Sequence, residues 1–542
     1  VRAEGGPRAG RLLGAVLLAW PLLAPIGVPI PSPGAVLPSP CALILSTSDT
    51  HGHLLPSTPA WAHGRALGGA ALLEAYFRRE ETVSPCPTFL FSAGDLMQGT
   101  PISNLVGGRS TIAAFDSMGY DAATFGNHEF DWGIDTLVAR VHQAGFPFLG
   151  ANIYVKGTDR HPAWDRPWTV VQRGGVRVGV VGVTTRSTPV TTMPSNVAGL
   201  EFRSLSAAID RYVPVLRSRD VDFVVVLLHA GGFCRDHGRS CQGEALDALR
   251  ATRSRWDYAI AGHTHTLIRT RVRGRPVVQS YANGVAFARE RLAGGEVDSA
   301  EAELATVTTA WPGDLRPDPV LARLVDRFRS RVAGRVERRV AVLAEPLARG
   351  TRGSEYALGD LIADAQRSAT GAAAAIMNDG GIRRSLPAGP VTYGDLFELQ
   401  PFGNALVRLR LSGRVLRRAL EHALEEDGPH AHVSGLTICF EPSAPAGRRI
   451  LSIHVDGRGP VRPDSLYTVT VNDFMAGGGS GFAMLREARS VSPTDIADLD
   501  ALVGYLAHRP QPVRAPTPDR WRAVPVRASA PTACPAAPAS AR

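Results

Sequence analysis

The sequence predicts an α/β protein in two parts: a layered-sheet domain, a connecting helix, and a second α/β domain. Three observations carry that expectation. From Ala42 to about Ser280, short apolar runs of strand character alternate with helical stretches, the rhythm of a sheet covered by helices. Around Trp311–Arg338 this rhythm stops, and a Pro-punctuated stretch passes into PVLARLVDRFRSRVAGRVERR, which suits a helix between domains. The chain has 542 residues, well beyond the roughly 250–300 at which a single core stops growing.

The boundaries that follow are a leader at 1–40, a first domain at 41–310, the helix at 311–338, a second domain at 339–527, and an Ala/Pro-rich tail at 528–542 that reads as disordered. In the leader, Arg2, Arg8 and Arg11 precede an apolar run from Leu12 to Val28 and a Pro-rich, small-residue stretch. This is the pattern of a secretory signal peptide, and a run broken by Pro21 and Pro25 is short for a membrane span. The expectation is an exported protein, periplasmic or secreted, with no stable membrane insertion after cleavage. Six cysteines agree with an oxidising compartment. Cys41 and Cys86 each stand just ahead of an expected core strand, so neighbouring strands can pair them. Cys234 and Cys241 would close a short loop, leaving Cys439 and Cys534.

The formal charge of +9 is spread as Arg through helical-looking stretches rather than gathered in one patch. That distribution argues against a nucleic-acid partner and suits the attraction of small anionic substrates. Nothing in the sequence sets an oligomeric state.

In the first domain the expected strands are ALILST (42–47), TFLFSA (88–93), VRVGVVGVT (176–184), DFVVVLLH (222–229) and DYAIAGHT (257–264). Five polar motifs stand where strands run out: Asp49-Thr50-His51, Gly94-Asp95, Gly126-Asn127-His128-Glu129-Phe130-Asp131, His229, and Gly262-His263-Thr264-His265. Side chains just past the carboxyl ends of strands in open α/β sheets converge on one crevice. Carboxylate, imidazole and amide oxygen together suit borderline divalent ions such as Mn, Zn, Co or Fe, and the cysteines lie outside these motifs. Two ions about 3.5–4 Å apart need a bridging carboxylate, and Asp95, alone after its strand, is the candidate. His128 and Asp131, three residues apart, can share one tight turn in which the carboxylate orients the imidazole. His53, His142 and Asp257 read instead as ordinary structural residues.

On these motifs the sequence resembles the calcineurin-like metallophosphatases, and within them the 5'-nucleotidase family, over residues 41 to about 525. The resemblance implies an N-terminal four-layer α-β-β-α sandwich and two divalent metal ions. Asp49, His51, Asp95 and His265 would hold one ion, and Asp95, Asn127, His229 and His263 the other. It makes His128 and Asp131 a catalytic dyad rather than ligands. His265 stands where relatives carry Gln or Asn, a departure that shifts the donor set toward softer ions.

The second domain is expected to carry helical GDLIADAQRSA, strand-like NALVRLRL, and Gly-rich turns at Asn378–Gly381 and Ala476–Gly481. Arginine forks suit phosphate or carboxylate, and aromatic faces suit a nucleobase. The resemblance assigns nucleotide binding to Arg352, Asn378, Arg383, Phe402 and Phe474, with the two Phe rings clamping the base. Ser480, in GGSG, replaces the Asp of a GGDG turn that holds ribose hydroxyls in the family. It offers a weaker, uncharged contact.

The expected activity is hydrolysis of nucleoside 5'-monophosphates to nucleoside and phosphate, with nucleotide sugars and polyphosphates as further candidates. Metal-coordinated water would supply hydroxide at neutral pH. The Asp131 that ends GNHEFD leans toward this 5' type. The alternatives are a 2',3'-cyclic-nucleotide phosphodiesterase with 3'-nucleotidase activity, a sulfur-ester hydrolase, and a non-catalytic nucleotide-binding module.

Overall fold

The computed structural model describes residues 40–524 apart from 236–239, 295–305, 314 and 352. Residues 1–39 of the leader expected at 1–40, the tail at 528–542, Cys534 and Arg352 lie outside the described residues.

Two six-stranded sheets form the N-terminal half. The first runs in the order Thr306–Thr309, Ala286–Ala293, Cys41–Thr47, Thr88–Ser92, Ala122–Thr124, Phe148–Leu149. The second runs Leu267–Val272, Arg275–Ser280, Tyr258–Ala261, Phe223–His229, Val176–Thr184, Trp168–Arg173. Alternation along each strand decides the layering, because successive side chains point to opposite faces. In Phe223–His229, Val225 and Leu227 join Ile44, Phe89, Phe91, Val178 and Ile260 between the two sheets. Val224, Val226 and Leu228 face outward to a second core with Ile209, Val213 and Leu249 from the helices Leu205–Arg217 and Glu244–Ala251. On the other side, Leu43, Leu45 and Leu90 meet Leu73, Phe77, Ile112 and Phe115 of Ala70–Val83 and Arg109–Met118. The result is helix, sheet, sheet, helix, the four-layer sandwich expected.

The strand expected at 257–264 is shorter, Tyr258–Ala261, because the backbone of Gly262–His265 turns out of the sheet to present its histidines. Ala122–Thr124, ahead of Asn127, is a strand that no apolar run announces; at three residues it carries too little pattern to register. Asp257 is structural as expected: its carboxylate accepts the Val224 N–H and pairs with Arg217 and Arg275.

The helix Pro319–Val336 starts on an Asp318 cap that accepts the N–H groups of Val320 and Leu321. It is not free-standing: Leu321 and Val325 join the core under the first sheet. The C-terminal half is built around a five-stranded mixed sheet in the order Ala431–Ser434, Ala374–Asn378, Leu466–Asn472, Ala405–Ser412, Ser490–Ala497. In Ala405–Ser412, Val407, Leu409 and Leu411 point into one core while Arg408 and Arg410 point out, the pattern of NALVRLRL. The opposite face is covered in part, over Ala374–Asn378, by Ala357–Thr370 and Asp498–His508.

Disulfides join Cys41 to Cys86 and Cys234 to Cys241, with Cα separations of 5.4 and 4.1 Å. The first links the starts of adjacent parallel strands; the second crosses the small hairpin Phe233–Arg235/Ser240–Gln242. Among the described residues no helix is long and apolar enough to cross a membrane. Opening Cys41–Cys86, which spans 45 residues, should cost about 3–4 kcal/mol on a chain-entropy account. Denaturant unfolding of Cys86→Ser beside the wild type measures this, and an unchanged midpoint would show that the bond constrains nothing.

Candidate metal centre and active-site cleft

All five motifs emerge at the carboxyl ends of parallel strands. Cys41–Thr47 leads to Asp49, Thr88–Ser92 to Asp95, Ala122–Thr124 to Asn127, Phe223–His229 ends on His229, and Tyr258–Ala261 leads to His263. Five of the seven candidate ligands adopt left-handed backbone: Asp49, His51, Asp95, His263 and His265, with φ of 52°, 50°, 52°, 78° and 54°. Residues with a Cβ rarely stay there unless the surroundings hold them. Here Asp49 N–H donates to the Gly94 carbonyl (3.0 Å), His51 N–H to Asp95 O (2.9 Å), and Asn283 N–H to Asp49 O (2.7 Å). Two glycines permit the close approach. A Cβ on Gly126 would lie 2.1 Å from Asp95 Oδ1, and one on Gly94 2.7 Å from His229 Nδ1.

The side chains gather in two groups that share Asp95. Asp49, His51, Asp95 and His265 form one and Asp95, His229 and His263 the other, with donor atoms in each within 4.8 Å of one another. His51 and His265 bring their Nε2 atoms to 2.9 Å. His51 Nδ1 lies 2.7 Å from the Gln98 carbonyl and His229 Nδ1 2.8 Å from that of Ala93. Each ring thus donates its Nδ1–H outward and turns its Nε2 inward. Asn127 Oδ1 sits 3.1 Å from His229 Nε2 and 3.0 Å from His263 Nδ1, while its Nδ2 donates to the Thr191 carbonyl. Asp95 Oδ2 is 3.2 Å from His229 Nε2 and 3.7 Å from His51 Nε2. Asp49 Oδ2 is buried with no hydrogen-bond partner.

This donor set fits divalent cations. Burial holds His51 and His265 well below the usual imidazole range, and burial followed by His229 lowers His263 to about 3, so all three keep their lone pairs. Burial raises Asp49 to about 7 against the opposing pull of His229. Burial also opposes a proton on His229, but the Asp95 carboxylate outweighs it and lifts that ring to about 9. A cluster with lone pairs facing inward, an orphaned carboxylate oxygen and one histidine pulled toward protonation is short of positive charge.

Beside it, His128 Nδ1 lies 2.7 Å from Asp131 Oδ2. Burial pulls the His128 pKa down, but Asp131 and then Asp95 prevail, so it is raised. The other Asp131 oxygen accepts the Thr192 hydroxyl at 2.7 Å, and Asn196 Nδ2 donates to the carbonyls of Phe130 and Asp131 at 2.9 Å each.

A cavity of about 530 Å3 opens on these groups and continues into the C-terminal half. Asp95, His128, Asp131, His263 and His265 line one wall, and Asn378, Arg383, Phe402, Phe474 and Ser480 the other. The Phe402 ring is 5.5 Å from that of His128, and the Arg383 guanidinium lies 5.6 Å from the Phe402 ring centroid. Asn378 Nδ2 donates to Ser480 Oγ at 3.3 Å, and Ser480 itself has φ of 50°.

The N-terminal half matches the calcineurin-like phosphoesterase family over residues 42–267, and residues 332–487 match the 5'-nucleotidase C-terminal domain. The chain belongs to the 5'-nucleotidase family. It is a hydrolase of the metallophosphoesterase type, with an N-terminal metallophosphatase domain and a C-terminal 5'-nucleotidase domain. Among its relatives, the endonuclease YhcR of Bacillus subtilis is 28% identical over 87% of this chain, though the chain spans only 40% of that protein. The 5'-nucleotidase of Bos taurus is 26% identical over 86% of this chain and 88% of its own. A 5'-nucleotidase precursor from Thermus thermophilus has a crystal structure that superposes with a TM-score of 0.77 at 27% identity, covering 89% of this chain and 99% of its own.

Several residues at this cleft carry no sequence signal of their own. Arg349 lines the cavity, its guanidinium 3.2 Å from Asp379. Thr191, Thr192 and Asn196 belong to a polar loop without a motif. Glu129 sits inside GNHEFD, and its buried carboxylate accepts the N–H groups of Asp95 (2.8 Å), Leu96 (2.7 Å) and Gly126 (2.7 Å), lacing two site-bearing loops together. Removing a support of this kind weakens metal binding about 10- to 100-fold. Glu129→Ala should do so here, read by competition with a chelating dye; undiminished affinity would show that the loops are held by other contacts.

Proposed function

We propose that the chain is an exported, two-metal 5'-nucleotidase that hydrolyses nucleoside 5'-monophosphates to nucleoside and phosphate. One observation carries the reading: a single cavity has the buried Asp/His cluster and the His128–Asp131 pair on one wall and two aromatic rings with Arg383 on the other. Its volume lies within the roughly 300–1,000 Å3 usual for small-molecule sites. The two disulfides suit an oxidising destination.

Asp49, His51, Asp95 and His265 would hold one divalent cation, and Asp95, Asn127, His229 and His263 the second; the ions' identity is open among Mn, Zn, Co and Fe. When bound, such a pair lowers the pKa of coordinated water and neutralises phosphoryl charge. Asp131 accepts from His128 Nδ1 and fixes the ring so that Nε2 carries the proton offered to a phosphoryl oxygen. A preorganised donor of this kind is worth most where charge develops in the transition state. Arg383 supplies a fork for an anionic oxygen, and the faces of Phe402 and Phe474 supply apolar surface on which a base stacks, at roughly 1–3 kcal/mol. Asn378 and Ser480, hydrogen-bonded to each other, offer amide and hydroxyl to the sugar.

A second reading, cleavage of 2',3'-cyclic or 3'-phosphates, draws support from the charge of the substrate wall. Among the described residues, the C-terminal contribution to the cavity includes Arg349 and Arg383 and no carboxylate. A phosphate on the ribose meets no repulsion at Ser480.

Phosphate release from 5'-AMP, 3'-AMP, 2',3'-cyclic AMP, UDP-glucose and p-nitrophenyl phosphate, with Mn or Zn supplied, tests the assignment. Preference for 5'-AMP is expected, and turnover of p-nitrophenyl phosphate alone would remove the nucleotide. His128→Ala should keep its metal content and lose about 100-fold or more in kcat; unchanged turnover would take His128 out of the reaction.

A further inference from the structure

The segment Thr188–Val197 touches three working parts of the cleft, although none of its residues is a candidate ligand or acid. Its inner side holds the centre: the Thr191 carbonyl takes the Asn127 amide at 3.1 Å, so that Oδ1 points at His229 and His263. The Thr192 hydroxyl, on a side chain 1% exposed, donates to Asp131 Oδ1. Its outer side meets the substrate wall: Thr188–Thr191 packs against Gly479–Gly481, and Pro194 abuts Gly477.

Asp131 therefore has two jobs for its two oxygens. Oδ2 receives the His128 Nδ1–H and Oδ1 receives the Thr192 O–H. A carboxylate held at one oxygen can still swing about its Cβ–Cγ bond, and the imidazole swings with it. Held at both, it has one orientation. Asn196 fixes the same residue's backbone, since its amide donates to the carbonyls of both Phe130 and Asp131. The partner ring must face Phe402, 5.5 Å away, across a cavity that Thr192 and Asn196 themselves line.

We propose that Thr192 is the positioning residue of the His128–Asp131 pair: its hydroxyl sets the plane of the Asp131 carboxylate, and the segment that carries it rests on the Gly477–Gly481 turn, tying the pair's orientation to the seating of the substrate wall. This inference rests on the reading of His128 and Asp131 as the catalytic pair. It calls on no new chemistry. A misaimed donor loses the transition state more than the ground state, so kcat falls while KM holds.

The test uses the full-length enzyme with Mn, on 5'-AMP and on p-nitrophenyl phosphate, with metal content measured for every variant. Thr192→Val removes the hydroxyl at nearly constant shape and should lower kcat about 10- to 100-fold, with KM within about twofold and metal content unchanged. Thr192→Ser keeps the hydroxyl and should recover kcat to within about threefold. If Thr192→Val does not fold, Thr192→Ala serves, since it removes the hydroxyl without adding bulk. The decisive comparison is Thr192→Val in the His128→Ala background. A residue acting through His128 costs nothing further once the ring is gone, whereas a purely structural residue costs the same in both backgrounds. Full kcat in Thr192→Val, or an equal loss in both backgrounds, overturns the inference. Wild-type turnover by His128→Ala alone would instead overturn the reading beneath it, and the two failures are read from different variants.

Discussion

The burial of Asp95 is the constraint on which the rest of the structure turns. Its side chain is 1% exposed, Oδ1 is taken by the His128 N–H, and Oδ2 faces His229 and His51. Asp49, fully buried, has its proton affinity raised first by that burial and then, against the pull of His229, by the Asp95 carboxylate. Removing two carboxylates from water costs several kcal/mol each even after relaxation. The surrounding imidazoles offset this poorly as neutral rings, and three of them are kept neutral by their own burial. Positive charge must come from somewhere. Within the chain alone it is drawn onto His229; two divalent cations would meet the same demand and use the inward lone pairs as well.

That constraint accounts for the backbone around it. Strand ends alone cannot aim seven donors at one point, because side chains on a regular strand alternate by face. The chain solves this by leaving the strand and turning left-handed at Asp49, His51, Asp95, His263 and His265, conformations that cost of order 1–3 kcal/mol each. Glu129 holds part of that arrangement in place by accepting backbone N–H groups from both sides of the gap between Asp95 and Gly126. Its own pKa, raised to about 7 by burial and then by Asp95, reflects how tightly the carboxylates are packed.

The layered fold was legible from sequence because apolar runs of period two or unbroken Val/Leu/Ile character are long there, as in Phe223–His229. The convergence of the motifs was legible for a related reason: each follows a strand, and parallel strands end on one side. What escaped notice has little local pattern. Ala122–Thr124 is three small residues, and Arg349 is one cation among many, distinguished only by the cavity it faces. Thr192 and Asn196 act through hydrogen bonds to residues about 60 positions away, a relation no window of sequence contains. Glu129 lay inside a recognised motif, but its work is on backbone amides, which have no side-chain identity to read.

The cleft has two walls from distant parts of the chain, so something must hold them in register. Two contacts between loops contribute. Asn104 accepts the Gly99 N–H, four residues past Asp95, and donates to the Pro401 carbonyl, next to Phe402, at 2.8 and 2.9 Å. On the far side, Thr188–Pro194 meets the Gly477–Gly481 turn. Each contact joins a loop bearing site residues to a loop bearing an aromatic ring or Ser480, and neither passes through the sheets. Seating of the C-terminal wall therefore bears on the loop that follows Asp95 and on the loop that carries Thr192, without passing through a core. A cleft organised in this way has both walls in place only when these loop contacts are made, so its geometry depends on the loops as well as on the sheets that aim the candidate ligands.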